Sequence, residues 1–311
     1  MAIGRHVRVV FETPRRNATG VGVTVIITLY NYERYIRDAL HSVLSQSYSN
    51  IELIIVDDAS SDDSRNSARS WLEQNGASFT HVKLLSHLNN RGLAQARNTG
   101  FEHTTNEHVF VLDADNEIYP DAIAKLMSAC ISANAEVAYS FIEKFGDITG
   151  VQGDVWNPSR FATGNYVDAM ALIKRSAWKK AGGYSQPSEI QGWEDYDLWC
   201  KFVELGFRGI FVPEILCRYR VHDSSMLTTT TMPNLGQIEF DMTKRHPWLR
   251  LGVSRTFPEK VGSRIWRFRI LAASFNKRFG FMPRRLRSRD GFARASVTPA
   301  MVRAEISPRN D

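Results

Sequence analysis

Two aspartates separated by one residue, Asp113 and Asp115, are the first candidates for chemistry in this sequence. They follow Val109–Leu112, an apolar run with the composition of a buried strand. Two carboxylates just beyond a strand can bind the same oxygen-seeking ion, and Mg²⁺ and Mn²⁺ prefer such ligands. An Asp-x-Asp triplet also occurs in ordinary surface turns, so its place at a strand end is what favours a metal site.

A second pair of acids, Asp57 and Asp58, ends another apolar run, Ile51–Val56. A carboxylate at a strand end can accept hydrogen bonds from a nucleobase N–H or from ribose hydroxyls. The alternative is a structural role at the start of the next helix, for which Ser60 and Asp62 are equally suited.

Two single residues could complete such a site. Arg97 lies in a predicted helix that begins behind Gly92, where a guanidinium and a helix N-terminus would both favour a phosphate. A salt bridge from Arg97 to a strand-end aspartate is the structural alternative. His222 ends a predicted strand, where a neutral imidazole could join a metal site or simply occupy the surface.

Acids cluster again at the start of a predicted helix, where Glu194, Asp195 and Asp197 follow Gly192. The helix dipole favours acids at this position, so the cluster can be structural. In the functional interpretation one of them is a general base that removes a hydroxyl proton. Adjacent residues on a helix point in different directions, so only one of Glu194 and Asp195 is expected to act directly.

The elements that must position these residues alternate regularly through the first 115 positions. Hydrophobic patterns predict strands over 23–27, 51–56, 82–85 and 108–112, and helices over 33–46, 61–74 and 92–103. Short connections between them indicate an α/β fold with a Rossmann-like, mostly parallel central sheet flanked by helices. Ligands bind at the carboxyl ends of strands in such sheets, so both acidic pairs should share one cleft.

The pattern becomes irregular after Pro120. It predicts a helix over 121–132, extended chain over 136–141 and 167–174, a helix over 194–205, and two short strands over 209–212 and 216–221. We therefore divide the chain into an N-terminal extension (1–21), a main domain (22–245) and a basic, helical C-terminal extension (246–311). The main domain has a nucleotide-binding half (about 22–116) and an acceptor half (about 117–245).

Charge is concentrated in the C-terminal extension. Residues 251–311 carry 14 Lys and Arg against 4 Asp and Glu, whereas the whole chain has a net charge of +6. A basic segment suits an anionic membrane surface, and no nucleic acid partner is expected. A solvated extension and an oligomer contact are the alternatives. Three widely spaced cysteines and no apolar run of 18 residues predict a cytoplasmic protein. The basic extension adds the hypothesis of peripheral contact at the inner face of the membrane.

Taken in order, these segments resemble the inverting glycosyltransferase family 2, whose fold is GT-A. The resemblance covers roughly residues 22–226, and its order and spacing are more specific than any single motif. It depends on these segments: Val23–Asn31, Ile55–Asp62, Asn90–Asn98, Leu112–Asp115, Gly182–Tyr184, Trp193–Trp199 and Tyr219–His222.

The resemblance implies a donor site for a nucleotide-sugar. Thr28 and Tyr30 would edge the nucleotide pocket, and Asp57 or Asp58 would contact the base or ribose. Arg97 would hold the nucleotide. The segment Asp113-Ala114-Asp115 would bind the ribose and, through Mn²⁺ or Mg²⁺, the diphosphate, with His222 as a further metal or phosphate contact.

The resemblance also implies the reaction, which is transfer of a hexosyl or related group with inversion at the anomeric carbon. Asp195 would be the base, and Glu194 would support it or bind the acceptor. UDP-sugars are the favoured donors, and the acceptor would be a hydroxyl of a saccharide, a lipid-linked glycan or a protein. Synthesis of cell-surface polysaccharide, lipopolysaccharide or another glycoconjugate is the expected setting.

Two departures from the family pattern affect the base pocket, because Thr28 replaces the usual Pro and Ala59 the usual Gly. A dinucleotide-dependent oxidoreductase is disfavoured, since no Gly-x-Gly-x-x-Gly follows the first strand. The alternatives that remain are a sugar-phosphate nucleotidyltransferase and a catalytically silent nucleotide-sugar-binding protein. The first would need a Gly-rich basic loop after that strand, where Asn31-Tyr32-Glu33 stands instead.

Overall fold

A computed structural model describes residues 6–251 of the 311-residue chain. Beyond residue 251, the predicted C-terminal extension lies outside the described residues. The strands are β1 (Val7–Glu12), β2 (Val23–Leu29), β3 (Ile51–Asp57), β4 (His81–His87), β5 (His108–Asp113), β6 (Glu117–Ile118), β7 (Val137–Gly146), β8 (Gly150–Gln152), β9 (Leu172–Lys174) and β10 (Gly209–Val221). The α-helices are α1 (Ile36–Leu44), α2 (Ser64–Asn75), α3 (Leu93–His103), α4 (Ala122–Ala133), α5 (Arg175–Lys180), α6 (Glu194–Glu204) and α7 (Leu235–Arg245).

The strands form one sheet in the order β1-β4-β3-β2-β5-β9-β7-β10-β6, with β8 paired to β7. Strands β4, β3, β2 and β5 run parallel to one another, as do β7 and β10. The pairs that involve β1, β6, β8 and β9 are antiparallel. The predicted mostly parallel sheet is therefore confirmed, and the predicted N-terminal extension contributes β1 as an edge strand.

Helices cover both faces of the sheet, as predicted. Every residue of β2 is buried, because alternate side chains of its β-branched run enter two different cores. Ile27 belongs to the core that also contains Leu40 of α1, Trp71 of α2 and Leu126 of α4. On the other face, Ile26 belongs to the core formed by α3, α5, α6 and α7.

The crevice for a ligand follows from the strand order. From β2 the chain moves outward to β3 and β4, and then returns to β5 on the opposite side of β2. Helices that connect strands in opposite directions leave an opening at the carboxyl ends of β2 and β5, which is where α/β sheets bind ligands. Thr28 and Asp113 are register partners at this point.

Helix α3 packs unusually close to the sheet beside the crevice. A Cβ atom on Gly100 would lie 2.5 Å from Cγ2 of Ile26 on β2, so a residue without a side chain is required there. Gly100 and Arg97 are one helical turn apart. The close approach of α3 thus sets the distance from the sheet at which the Arg97 side chain leaves the helix.

The C-terminal part of the sheet differs from the prediction. The two short strands expected over 209–212 and 216–221 are one continuous strand, β10, which pairs with β7 along its length. Its register shifts on both sides of Ile215, just after Pro213, which has no N–H to donate to the ladder. The gap between the two predicted strands therefore corresponds to a β-bulge within β10. Likewise, only 172–174 of the predicted extended segment 167–174 belongs to the sheet.

Within residues 6–251, no helix combines the length and apolar character that crossing a bilayer requires.

Candidate active site

A cavity of about 930 Å³ opens at the carboxyl ends of β2 and β5 and extends to the start of α6. Its wall contains more acids than bases, so it favours cations, and an anionic ligand would need a counter-ion. Among the described residues, the acids are Glu33, Asp58, Asp62, Asp113, Asp115, Asp168, Glu194 and Asp195, and the bases are Arg34, Arg97 and Lys144.

Asp113, the last residue of β5, lines the cavity. Its Oδ1 accepts hydrogen bonds from Thr28 Oγ1 and from Arg97 Nη2, both at 3.0 Å. These contacts join the ends of β2 and β5 to helix α3. Thr28 and Arg97 thereby hold the Asp113 carboxylate in one orientation. The sequence left open whether Arg97 forms a salt bridge to a strand-end aspartate or faces a ligand. In the structure it forms the salt bridge and also lines the cavity.

Arg97 is almost completely buried among acids. Burial is the largest single effect and lowers its pKa, but Asp113, Tyr184, Glu194 and Asp195 together outweigh it and hold the pKa of Arg97 above its ordinary value. The guanidinium therefore stays charged, and it lies 5.3 Å from the centre of the Tyr184 ring. Its Nε has no partner among the described residues, so the charge is only partly compensated.

Asp115 is the more deeply buried of the two acids in the Asp-x-Asp pair. Burial raises its pKa and Asp113 adds to the rise, whereas a hydrogen bond with His222 opposes it. His222 Nε2 lies 3.1 Å from Asp115 Oδ2, and the other ring nitrogen lies 2.9 Å from Ser224 Oγ. The structure therefore brings His222 to the predicted metal site, where it reaches the cavity through Asp115.

The donor set at this end is suited to a hard divalent cation. It comprises the carboxylates of Asp113 and Asp115, and the imidazole of His222 lies beside them, within hydrogen-bonding distance of Asp115. Within residues 6–251, no group of three or more His, Cys, Asp or Glu is arranged to hold an ion by itself. The remaining coordination positions would then belong to water and to oxygens of the ligand, which is the usual situation for Mg²⁺. Ala114, which we placed in the donor site, is fully buried in the core.

The two acids after β3 have different surroundings. Asp57 is fully buried and accepts hydrogen bonds from Ser60 N, Ser86 Oγ and Arg65 Nη1 at 2.9–3.2 Å, so it stabilises the turn after the strand. Asp58 lines the cavity instead.

Asp58 is held by the segment between β4 and α3. Its carboxylate accepts hydrogen bonds from the backbone N–H groups of Arg91 and Gly92 at 2.9 and 2.8 Å. Nδ1 of the buried His87 lies 2.5 Å from Asp58 Oδ1, and its Nε2 lies 2.9 Å from Thr99 Oγ1. His87 therefore connects the wall of the cavity to helix α3, a role that the sequence did not suggest.

The far end of the cavity is formed by the start of α6. Trp193, immediately before the helix, has a φ of +64°, a conformation that is uncommon for a residue with a side chain and that often marks functional sites. The side chains of the two residues that follow Trp193 have different hydrogen-bonding partners. Glu194 turns back and accepts a hydrogen bond from Gly192 N at 2.9 Å, whereas Asp195 accepts one from Asn165 Nδ2 at 2.9 Å. Burial raises the pKa of both carboxyls.

A family model described as glycosyl transferase family 2 matches residues 24–185, more than half of the chain. This chain belongs to glycosyl transferase family 2. The resemblance seen in the sequence is thereby confirmed, and the protein is a glycosyltransferase.

Similar proteins agree with this assignment. EpsE of Bacillus subtilis (strain 168), named as a glycosyltransferase, is 31% identical over 215 residues, which cover 67% of this chain and 75% of EpsE. TuaG of the same organism, whose name places it in teichuronic acid biosynthesis, is 28% identical and matches 66% of this chain and 81% of its own length.

Two solved structures share the fold. One is S. aureus TarS 1-349 in complex with UDP-GlcNAc, with a TM-score of 0.59, 17% identity and coverage of 84% of this chain and 73% of that one. The other is a mannosyltransferase from Pyrobaculum calidifontis in complex with GDP-Man and Mn²⁺, with a TM-score of 0.56, 21% identity and coverage of 84% and 76%. The predicted GT-A fold is confirmed.

In this family 2 glycosyltransferase, most of the sequence-predicted site residues line one cavity: Thr28, Tyr30, Asp58, Arg97, Asp113, Asp115, Glu194 and Asp195. Asp57 and Ala114 do not line it, and His222 joins it through Asp115. Asp168 also lines the cavity but was missed, because it lies in an irregular segment and nothing in its neighbourhood marks it as part of a site.

Asp168 provides a prediction about the stability of the glycosyltransferase. Burial and the nearby Asp195 carboxylate raise its pKa to about 7, and the Met170 N–H, Asp113 and Arg97 have smaller effects. An acid whose folded-state pKa is raised binds protons that the unfolded chain releases, so the free energy of unfolding falls as the pH rises from about 4 to about 7. Asp168→Asn should therefore stabilise the fold at pH 8, by about 2 kcal/mol or about 5 °C in Tm, and much less at pH 5.

Thermal unfolding at both pH values, without added metal or nucleotide, measures this difference. Asp147→Asn, at an exposed position outside the cavity, is the matched control. Equal shifts in Tm at pH 5 and pH 8 for Asp168→Asn would contradict the assignment.

Proposed function

We propose that this glycosyltransferase transfers a sugar from a nucleotide-diphosphate sugar to an acceptor hydroxyl, with inversion at the anomeric carbon and dependence on a divalent metal. One observation carries the proposal. Two carboxylates suited to a diphosphate-bound cation, Asp113 and Asp115, line the same cavity as a separate, desolvated carboxylate, Asp195.

The donor occupies the β2–β5 end of the cavity in this proposal. Thr28 and Tyr30 border the nucleotide, and Asp58 has one further acceptor position on Oδ2 for a base N–H or a ribose hydroxyl. Arg97 contributes the positive charge nearest to the diphosphate. The nucleotide-sugars in the complexes of TarS and the Pyrobaculum mannosyltransferase support this class of donor.

Asp113 and Asp115 would hold Mn²⁺ or Mg²⁺, with His222 beside them. When bound, such an ion stabilises negative charge on the departing diphosphate as a Lewis acid. The contribution of the chain itself is to orient both carboxylates, through Thr28 and Arg97 for Asp113 and through His222 for Asp115. The Mn²⁺ in the mannosyltransferase complex supports this assignment.

Asp195 serves as the base. The acceptor oxygen forms a bond to the anomeric carbon while the bond from that carbon to the diphosphate oxygen breaks, and the acceptor proton passes to Asp195. Burial raises the pKa of Asp195 and makes its carboxylate a better proton acceptor, and Asn165 holds the carboxylate in place. Attack from the side opposite the leaving group inverts the configuration.

Glu194 has a supporting role, because its hydrogen bond to Gly192 N holds the strained turn at Trp193. A nucleotidyltransferase is disfavoured by membership of the family. A silent binding protein is disfavoured because the candidate carboxylates are all retained on one cavity wall. Synthesis of a cell-surface glycoconjugate is the proposed setting, supported by the similarity to TuaG.

A donor panel tests the proposal. UDP-, GDP- and dTDP-sugars are added with and without Mn²⁺, and both the Tm and the slow hydrolysis of the donor are measured. One UDP-sugar is expected to raise Tm and to be hydrolysed in the presence of Mn²⁺ only, because a bound ligand stabilises the fold by mass action. If no nucleotide-sugar changes Tm and a chelator has no effect on turnover, the proposal is wrong.

His87 gives a further prediction for the donor site. In His87→Asn, the amide nitrogen can take the place of Nδ1 and still donate to Asp58, whereas in His87→Gln the amide lies nearer the Nε2 position. Loss of a buried hydrogen bond to a charged group weakens an interaction by about 1.5–3 kcal/mol. We therefore expect His87→Gln to raise the Kd for UDP about tenfold or more and His87→Asn to remain within about threefold of wild type.

Isothermal titration with UDP measures both His87 variants, and circular dichroism verifies that each one is folded. Equal Kd values for the two variants would show that Asp58 does not depend on Nδ1 of His87.

A further inference from the structure

The segment before β9 is attached to helix α6 by side chains. Asn165 Nδ2 donates to Asp195 Oδ2 at 2.9 Å, and Trp199 Nε1 donates to the carbonyl of Val167 at 2.8 Å. Asp195 and Trp199 are four residues apart and so lie on the same face of the helix. The segment therefore runs along that face, and Asp168, which follows Val167, lines the same cavity as Asp195.

Within the described residues, only one of the two carboxyl oxygens of Asp168 has a hydrogen-bonding partner. Its Oδ1 accepts a hydrogen bond from Met170 N at 2.9 Å, and no hydrogen bond reaches its Oδ2. The residue is half-buried in the cavity wall, and the buried guanidinium of Arg97, which lines the same cavity, is paired with Asp113 instead. A carboxyl group in such a position lacks a hydrogen-bonding partner that a ligand could provide.

We propose that Asp195 and Asp168 bind two neighbouring hydroxyl groups of one acceptor, so that the acceptor is a saccharide ring with a hydroxyl beside the attacked one. This inference rests on the proposed function, in which Asp195 receives the proton of the attacked hydroxyl. Asp168 then exchanges a hydrogen bond with the adjacent hydroxyl and orients the ring. An isolated serine or threonine hydroxyl would leave Asp168 without a partner.

The protonation of Asp168 suits this role. Its pKa of about 7 allows the carboxyl group to accept a hydrogen bond from a hydroxyl or to donate one near neutral pH. A site built to bind a substrate hydroxyl discriminates strongly against the analogue that lacks it, because the polar group of the protein is then buried without a partner. The chain thus has a means to select among acceptors at the atom next to the reaction.

The test uses the full chain with Mn²⁺ and the donor identified by the panel. Transfer is measured to p-nitrophenyl glycopyranosides, to the mono-deoxy analogues of the best of them, and to a serine-containing peptide. For wild type, one deoxy analogue next to the attacked position should lose at least tenfold in kcat/KM. In Asp168→Asn, the parent acceptor should lose a similar factor in kcat/KM, and the additional loss from the deoxy change should shrink.

Asp147→Asn, at an exposed position outside the cavity, should behave as wild type in donor hydrolysis, donor KM and transfer to every acceptor. Preference of wild type for the peptide, full activity of every deoxy analogue, or transfer to none of these acceptors despite donor hydrolysis would overturn the inference. The deoxy series requires only the wild-type protein, so it decides even if Asp168→Asn folds poorly. Failure of the proposed function is distinct, because wild type would then neither bind nor hydrolyse a nucleotide-sugar.

Discussion

Asp195→Asn is expected to lower kcat for sugar transfer by about a thousandfold, within the 10²–10⁴ range of general base catalysis, while the Kd of the donor stays within about threefold of wild type. The amide cannot accept the proton of the acceptor hydroxyl, but it retains the size of the side chain and the hydrogen bond from Tyr196 N. Single-turnover kinetics with saturating donor and acceptor separate the chemical step from binding.

Glu194→Gln is the matched control for this experiment, because it neutralises the neighbouring carboxylate on the same helix. Glu194 bonds to backbone rather than to the segment at Asn165, so a smaller loss, about tenfold, is expected. If Glu194→Gln proves more damaging to kcat than Asp195→Asn, the roles of the two acids must be exchanged.

Asp115→Asn is expected to reduce kcat/KM by about a thousandfold, because it removes a charged ligand of the proposed ion, and a Lewis acid at the leaving group is worth several kcal/mol. A chelator should have a comparable effect on wild type. The variant should also need a higher Mn²⁺ concentration for half-maximal activity. Mn²⁺ titration followed by electron paramagnetic resonance with UDP present measures the affinity for the ion independently of turnover.

Asp121→Asn changes an exposed acid outside the cavity and serves as the control for that titration. Wild-type activity that survives exhaustive chelation, together with a normal Mn²⁺ response in Asp115→Asn, would exclude a metal at this position. Arg97 would then provide the main positive charge that compensates the negative charge of the diphosphate.

The structure of residues 22–116 was largely predictable from the sequence. Its strands are largely buried on both faces, so β-branched runs such as Val23–Leu29 stand out, and the other three strands end at the polar residues Asp57, His87 and Asp113. Because parallel strands present their carboxyl ends at one edge, the order of elements alone predicted one cleft for both acidic pairs, and Asp58 and Asp113 do line the same cavity. The family resemblance then indicated Asp195, whose distance from that edge the spacing does not give.

Other parts of the site depend on contacts between distant positions. His222 and Asp115 are 107 positions apart, and their contact forms where β10 pairs with β6, a two-residue strand just after Asp115 that the sequence pattern did not predict. The separate surroundings of Asp57 and Asp58 arise from the side chains of Ser86 and His87 on the next strand. Asp168 lies in irregular chain, where no periodicity indicates which way a side chain points.

The segment before β9, residues 161–168, is attached to α6 through Asn165 and the carbonyl of Val167, and this attachment has a consequence for engineering. Since this segment contributes no strand to the sheet, its sequence can be exchanged without shifting the register of β7 or β9, provided that Asn165 and the carbonyl at position 167 keep their anchors on the helix. Grafting such segments between relatives is expected to redirect acceptor choice while the chosen donor is retained. Diversification of products would then proceed through one short stretch of chain on an otherwise constant scaffold.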